Sequence, residues 1–305
     1  MRPRVVVVTR MTPLELLLIQ HGTLEQARFY LKTRGEDSAW HEQVHAQQER
    51  ALAEVQAAIP PDQRRVRVDR EQLDRFLFAP DDIIVVVGQD GLVPNIAKYL
   101  SGQLAIGINP NPKNYDGVLC RHPAKATRRL LGWLEHQDGS GFTIQRRTMA
   151  EAKREDGQRM LALNEIFIGH RSHQSARYRI RAADLGEERQ SSSGLIVATG
   201  TGSTGWALSI TLQRGIATLP TPEEGRLTWL VREPFPSVST GTKLDYGEVT
   251  DSKNLWLVSE MGEGGVAFAD GIETDRVEFL SGESLEIGIA EQRLNLVVPV
   301  PSQGR

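Results

Sequence analysis

Ile83-Ile84-Val85-Val86-Val87-Gly88-Gln89-Asp90-Gly91 is the stretch that decides how this chain is read. Five consecutive β-branched residues make the strongest strand in the sequence, apolar on both faces, as a central parallel strand must be. Gly88-Gln89-Asp90-Gly91 then breaks it. Working outward, Val5 to Val8 is a second run of this kind, and Arg65 to Val68 and Leu104 to Ile108 read as further strands. Helices are expected between them. Thr12-Pro13-Leu14-Glu15 combines an N-cap threonine, proline at the first helical position and glutamate at the third. A helix should therefore start at Pro13 and turn Leu14, Leu17 and Leu18 inward. Glu42 to Ile59 puts Val44, Leu52, Val55 and Ile59 on one face before Pro60-Pro61 ends it. Glu71 to Phe78 and Leu92 to Leu100 complete the alternation. This βαβ rhythm implies a parallel sheet with helices on its faces.

The pattern changes near Gly117. After one more helix (Ala124 to Glu135), short strands dominate: Phe142–Gln145, Met160–Ile168, Tyr178–Ile180, Leu195–Ala198, Leu227–Val231, Leu255–Val258, Val266–Phe268, Val277–Leu280, Leu285–Ile289 and Leu294–Val300. They imply a β-rich second domain. Asp138 to Gly141 and Leu219 to Gly225 read as surface loops. There is no fixed-period repeat and no low-complexity tract.

Bulk properties narrow the function classes. The 305 residues suffice for two domains. With 36 basic and 39 acidic residues, net charge -3, the chain has no general attraction for nucleic acid or anionic lipid. Arg146-Arg147 is at most a local patch, and a solvated strand edge is its plainer reading. The single cysteine, Cys120, excludes an intramolecular disulfide and a cysteine metal cluster. No apolar stretch approaches the roughly 18 residues of a membrane span. A soluble cytoplasmic protein is the expectation.

Three motifs could carry chemistry. The first is Gly88-Gln89-Asp90-Gly91, at the carboxyl end of a central strand, where open α/β sheets bind ligands. Backbone N–H groups and the start of the next helix would face a phosphate, and Asp90 could orient or deprotonate a hydroxyl. Asp-Gly is also a favoured plain turn. The second is Thr199-Gly200-Thr201-Gly202-Ser203-Thr204-Gly205-Trp206, a loop of small residues and hydroxyls between a strand and a helix. It offers donors to an anion, against the alternative of a hydroxyl-capped helix entry. Its literal G-x-G-x-x-G is weak evidence for an oxidoreductase site, because it lies in a β-rich region. The third is Asn164-Glu165, two polar residues inside an apolar strand, which need either a ligand or a bulge. His170 and His173 lack a matching carboxylate and read as a solvated loop.

Taken in order, these motifs resemble those of the NAD kinase family, with its G-G-D-G loop, later Asn-Glu pair and T-P-T-G-S-T-A-Y-like segment. Gly107-Ile108-Asn109-Pro110-Asn111-Pro112 and Asp270-Gly271 suit the family too, and Ser192-Ser193-Gly194 and Val231-Arg232-Glu233-Pro234 look most like its mitochondrial-type members. The resemblance implies an N-terminal Rossmann-like parallel α/β domain (1–118, with the last strand, about 291–305, returning to it). It also implies a C-terminal β-sandwich-like domain (119–290), with NAD in the cleft between the two. ATP, or another phosphoryl donor, would lie over Gly88, Gln89 and Gly91 with a divalent ion such as Mg²⁺, its protein ligands unspecified. Asp90 would be the base for the 2′-hydroxyl of the adenosine ribose. Asn164, Glu165, Thr204, Gly205 and Ser209 would contact NAD, Thr199, Thr201, Gly202 and Ser203 would support phosphates, and Asn109 would be a further cofactor-binding residue. A homodimer or larger homo-oligomer is implied as well.

This chain departs from the family where Gln89 replaces the second loop glycine and Leu92 the threonine after the loop. A left-handed conformation at Gln89 would cost about 1–2 kcal/mol. Gly205, Trp206 and Ser193 replace alanine, tyrosine and aspartate. Besides an NAD kinase, the same loop would serve a related kinase acting on a sugar or lipid hydroxyl. The departures also leave open a non-catalytic dinucleotide-binding protein.

Overall fold

The computed structural model describes residues 2–136, 141–216 and 218–300. The chain forms two compact units: Met1–Gln145 with Asn295–Arg305, and Arg146–Leu294.

In the first unit the five strands from Val5–Thr9 to His122–Pro123 pair in parallel. Strand β1 (Val5–Thr9) pairs with β2 (Arg65–Asp69) on one side and β3 (Ile83–Val87) on the other. Beyond β3 lies β4 (Leu104–Asn109), which pairs with the short β5 (His122–Pro123) and with Asn295–Val297. Every residue of β1 and β3 is buried. Helices α1 (Pro13–His21), α2 (Leu24–Thr33), α3 (Ala39–Ala58), α4 (Leu92–Ala97) and α5 (Thr127–His136) connect the strands. Ala51, Leu52 and Val55 of α3 and Leu130 and Leu131 of α5 bury against Val5, Val7, Val85 and Ile106. The Gln48 side chain of α3 donates to Thr9 Oγ1 (3.0 Å) and to the Val87 carbonyl (2.9 Å), fixing the helix across the strand ends.

The capping box expected at α1 is present, with the Thr12 hydroxyl accepting from Glu15 N–H and the Glu15 carboxylate from Thr12 N–H. Of the leucines expected inward, Leu14 is buried but Leu17 and Leu18 are only half-buried. The helix expected over Glu71 to Phe78 is a 3₁₀ turn, Arg70–Arg75. The helix after the glycine loop stops at Ala97, three residues early.

The second unit is a two-sheet sandwich. One sheet orders β13 (Tyr246–Thr250), β12 (Arg226–Val231), β11 (Leu195–Ala198), β8 (Glu165–His170), β15 (Gly265–Ala269) and β16 (Val277–Glu278), all antiparallel. Opposite it lie β10 (Gly186–Ser192), β9 (Ala176–Ala182), β14 (Leu255–Ser259) and the first part of β17 (Ser284–Pro299), with β6 (Phe142–Arg154) paired to β7 (Arg159–Ala162). Inward residues of both sheets, among them Ile166, Ile168, Trp229, Tyr178, Ile180 and Leu257, make one core. Helix α6 (Trp206–Arg214) covers the other face of the first sheet, burying Ala207 and Ile210 on Ile196 and Leu230.

The strand expected over Met160–Ile168 is two, β7 and β8, separated at Leu163-Asn164. The two expected over Leu285–Ile289 and Leu294–Val300 are one, β17, which passes from the second unit into the first. In the loop expected at Asp138 to Gly141, only Gly141 lies among the described residues. No helix among the described residues is long and apolar enough to cross a membrane.

Candidate functional site

In the first unit the site is built on the carboxyl end of β3. The Gly88 N–H donates to the Ile108 carbonyl (3.1 Å), which ties the loop to β4. The N–H groups of Gln89, Asp90 and Gly91 meet no acceptor among the described residues. Gln89 does not take a positive φ, so the strain considered for it is absent. Gly91 is right-handed (φ -62°), and a Cβ there would meet open space. Helix α4 has only six residues, too short to add much of an N-terminal dipole.

Asp90 is held firmly. Its Oδ1 accepts from the N–H groups of Leu119 (2.9 Å) and Cys120 (2.8 Å), and its Oδ2 from that of Val118 (2.7 Å). A carboxylate has about four acceptor positions, so three are occupied and one remains on Oδ2. Gly107 makes this possible, because a Cβ there would lie 2.3 Å from the Leu119 carbonyl oxygen. Only glycine lets segment 118–120 press against β4. Cys120 itself is buried, and burial, then the Asp90 charge, pushes its thiol pKa far up, so it is no nucleophile. Asn109 is engaged locally, its Oδ1 accepting from Asn111 N–H and its Nδ2 donating to the Tyr115 carbonyl (both 2.9 Å). Beside the loop a small cleft is lined by Arg10, Gln89, Asn111 and Tyr115. The buried Asn111 Nδ2 there has no partner among the described residues.

In the second unit, two of the motifs come together. The turn Leu163-Asn164-Glu165 is gripped from both sides. Asp270 accepts from Leu163 N–H (3.1 Å) and Asn164 N–H (2.6 Å), while the Thr199 N–H donates to the Asn164 carbonyl (2.9 Å) and its hydroxyl to the Leu163 carbonyl. Gly202 lies directly on this turn, where a Cβ would come within 2.2 Å of the Asn164 oxygen. The polar pair is therefore neither a bulge nor mid-strand; it is the corner between β7 and β8.

The hydroxyls of the threonine-glycine loop largely serve the loop. Thr199 Oγ1 accepts from Thr201 and Gly202 N–H (3.0 and 3.3 Å). Ser203, Thr204 and Ser209 donate to the carbonyls of Thr199, Thr201 and Trp206 (3.0, 3.3 and 2.8 Å). Arg147, read from sequence as part of a solvated edge, is instead buried and donates to Thr201 Oγ1 (3.2 Å). Its neighbour Arg146 is exposed. Thr204 and Gly205 are exposed, and Asn164 and Glu165 are half-buried. The side chains of Asn164 and Glu165 form no hydrogen bond among the described residues and are available to a ligand.

Burial, then the charge of Asp270, raises the Glu165 pKa to about 7. A carboxyl whose folded pKa lies above its unfolded value binds an extra proton when folded. Its stability penalty is absent below the unfolded pKa, grows as pH rises from about 4.5 to about 7, and is complete above that. Glu165→Gln should therefore stabilise the protein by on the order of 1–2 kcal/mol at pH 8 and by little at pH 4.5. Thermal melts across that range check it; an equal effect at both pH values would reject the raised pKa.

The sequence singles out Asp90, Asn164, Glu165, the Thr199–Gly205 loop and Asp270-Gly271, but not the hydrogen bonds by which Asp270 and segment 118–120 hold them. Asp270 stands before a glycine after a strand, and in the structure it takes φ 53°. Segment 118–120 carries no such mark. Among the described residues, no three of His, Cys, Asp or Glu converge as metal ligands.

No family model matches the chain. In sequence it is 25% identical to the NAD kinase 2, mitochondrial, of Rattus norvegicus, over 66% of this chain and 66% of that protein. It is 24% identical to the Homo sapiens protein of the same name, over 66% of this chain and 63% of that one. The chain thus spans a little under two thirds of the length of both. Among solved structures it is similar to an NAD kinase from Archaeoglobus fulgidus in complex with ATP (TM-score 0.58, 18% identity, 96% of this chain and 92% of that one). It is equally similar to a yeast NADH kinase complexed with NADH (TM-score 0.58, 15% identity, 98% and 84%).

Proposed function

We propose that this chain, which has the fold of the NAD kinases and is related to them in sequence, phosphorylates the adenosine-ribose 2′-hydroxyl of NAD with ATP to give NADP. The observation that carries this reading is Asp90, a carboxylate fixed by three N–H bonds at the end of β3 with one acceptor position open. A substrate hydroxyl donating to that position is oriented for attack. Its oxygen forms a bond to the terminal phosphorus of the donor as the bond to the bridging oxygen breaks. The hydroxyl proton passes to Asp90 Oδ2. The open N–H groups of Gln89, Asp90 and Gly91 suit the donor's phosphate oxygens, with Arg10 and the Asn111 amide along the adjoining cleft. Asn164 and Glu165 offer an amide and a carboxylate to the hydroxyls and base of the dinucleotide, and the exposed Thr204 and Gly205 follow Gly202, which packs on the Asn164 turn.

The same reading includes a divalent ion arriving with the donor's phosphates, Mg²⁺ by its chemistry. It also includes a homo-oligomer of two or more subunits and a reducing, cytoplasmic setting suited to one buried thiol. The test is turnover: purified protein with NAD, ATP and Mg²⁺, and NADP detected by an NADP-specific dehydrogenase. NADP formation is expected. None with ATP or polyphosphate, alongside measurable NAD binding, would reject the kinase reading.

A further inference from the structure

Helix α3 opens on Ala39-Trp40-His41-Glu42-Gln43-Val44-His45, an H-E-x-x-H run. Residues four apart share one helical face, with Cβ atoms about 5–6 Å apart. In zinc peptidases such a run sets two imidazoles on the metal and the glutamate beside it as base. Here the glutamate is turned to other partners. Its two oxygens accept from Arg28 at 3.0 and 2.9 Å, and Oε1 also accepts from the Ser38 hydroxyl (2.8 Å). The Ser38 bond, then the Arg28 bond, hold the Glu42 pKa below the ordinary carboxylate value. Glu42 is therefore no base for a peptidase. Among the described residues no third His, Cys, Asp or Glu converges on the pair.

Both histidines are half-buried. His45 Nδ1 lies 3.0 Å from the Thr12 hydroxyl at the start of α1. That hydroxyl has one proton and gives it to the Glu15 carboxylate (2.9 Å), which has none to return. His45 Nδ1 must therefore carry a ring proton and donate it. In the neutral ring this leaves Nε2 bare, the state in which imidazole ligates a metal. The relay from imidazole to hydroxyl to carboxylate is the outer-shell support that metal-bound histidines have. Nε2 makes no hydrogen bond among the described residues. The His41 side chain bonds nothing among them either. Its Nδ1 is buried without a partner, its ring stands edge-on to Trp40 (4.8 Å, 87°), and Nε2 remains for a ligand. A polar ring withdrawn from water with no bond is costly to the fold unless something else engages it.

We propose that His41 and His45 bind one divalent transition-metal ion through their Nε2 atoms, with water completing its coordination. Imidazole suits Zn²⁺, Cu²⁺ and Ni²⁺, and not the oxygen-seeking Mg²⁺ or Ca²⁺. The site is thus separate from any ion carried by a nucleotide's phosphates. Two imidazoles supply roughly half the binding energy of a four-ligand structural site, which gives a dissociation constant on the order of 10 µM. The effect of the ion is mechanical. Ser38, the N-cap of α3, makes no side-chain capping bond, and a metal across residues 41–45 staples that uncapped first turn. Val44 and Gln48, from the same turns, line the cleft beside Gly88 and Gln89 together with Thr12. Occupancy therefore stiffens one wall of that cleft.

The test is a Zn²⁺ titration of the full chain against a chromophoric chelator, without nucleotide, repeated in His41→Ala, His45→Gln and Thr12→Val. The unaltered chain should take up one equivalent, and about a thousandfold excess of Mg²⁺ should not displace it. Each histidine variant should bind at least about tenfold more weakly. Thr12→Val, which removes no ligand, should also lose about tenfold, and Thr12→Ser should restore the original affinity. Zn²⁺ should raise the melting temperature of the unaltered chain by a few degrees and leave those of the histidine variants unmoved. His41 bonds nothing, and glutamine at 45 keeps a donor toward Thr12, so both variants should melt as the unaltered chain does without metal. Uptake unchanged in either histidine variant, displacement by Mg²⁺, or no uptake at about 100 µM Zn²⁺ overturns the proposal. None of these readouts involves turnover, so they stand apart from the kinase reading.

Discussion

Asp90→Asn should lower turnover at least about a hundredfold, the smaller end of what a positioned base contributes. The structure adds a condition to that expectation. Both carboxylate oxygens face backbone N–H donors, so an amide must turn its own NH₂ toward at least one of them. Segment 118–120 then loses a charge-assisted bond and meets a donor instead, and some stability goes with it. Gly107→Ala supplies the comparison. Its Cβ pushes on the Leu119 carbonyl and loosens the same segment while leaving the carboxylate intact. Turnover should fall much further in Asp90→Asn than in Gly107→Ala at matched loss of thermal stability. Equal loss would reduce Asp90 to a clamp, and undiminished turnover in Asp90→Asn would remove it from the chemistry.

Gly202→Ala is expected to displace the Asn164-Glu165 turn. The added carbon would sit 2.2 Å from the Asn164 carbonyl oxygen and 3.1 Å from its Cα. Neither neighbour is a flexible side-chain tip. Backbone must move, at a cost of about 1–3 kcal/mol, and the turn that moves carries Asn164 and Glu165. Dinucleotide affinity should fall at least about tenfold, with a melting temperature lower by several degrees. Gly262→Ala, where a Cβ would meet nothing within 4 Å, should leave both unchanged. Calorimetric titration and thermal melts decide. Full affinity in Gly202→Ala would mean that the Asn164 turn does not bind the dinucleotide.

Where the sequence was legible, the cause was local. The run Ile83–Val87 could only be a doubly buried strand, and Thr12 with Glu15 could only cap a helix, and both are found. Leu195–Ala198 was equally plain. Strands β10 and β13 were missed because they carry no apolar pattern, only Gln190 and Ser192 being buried on the one and Val249 on the other. Gly186-Glu187-Glu188-Arg189-Gln190-Ser191-Ser192 has little apolar alternation to display. Helix α2 was missed because only Ala27 and Leu31 are buried on it. At the candidate site, the polar residues stood out in the sequence and the pairings among them did not. Asp270 lies 106 residues from Asn164, and Asp90 lies 28 to 30 from its donors. No local pattern encodes such a pairing. The reason for Gly202 likewise becomes visible only once Asn164 is beside it.

Strand β17 sets an order of events on the ribosome. Residues 295–297 complete the parallel sheet beside Leu104–Ile106, some 190 positions earlier in the chain. That edge of β4 stays unpaired at 104–106 throughout the synthesis of the second unit. The glycine loop therefore rests on a platform finished only when translation has passed Val297. Contacts so distant along the chain slow folding and leave a sticky edge open meanwhile. A nascent chain stalled before Asn295 would be the species most in need of a chaperone.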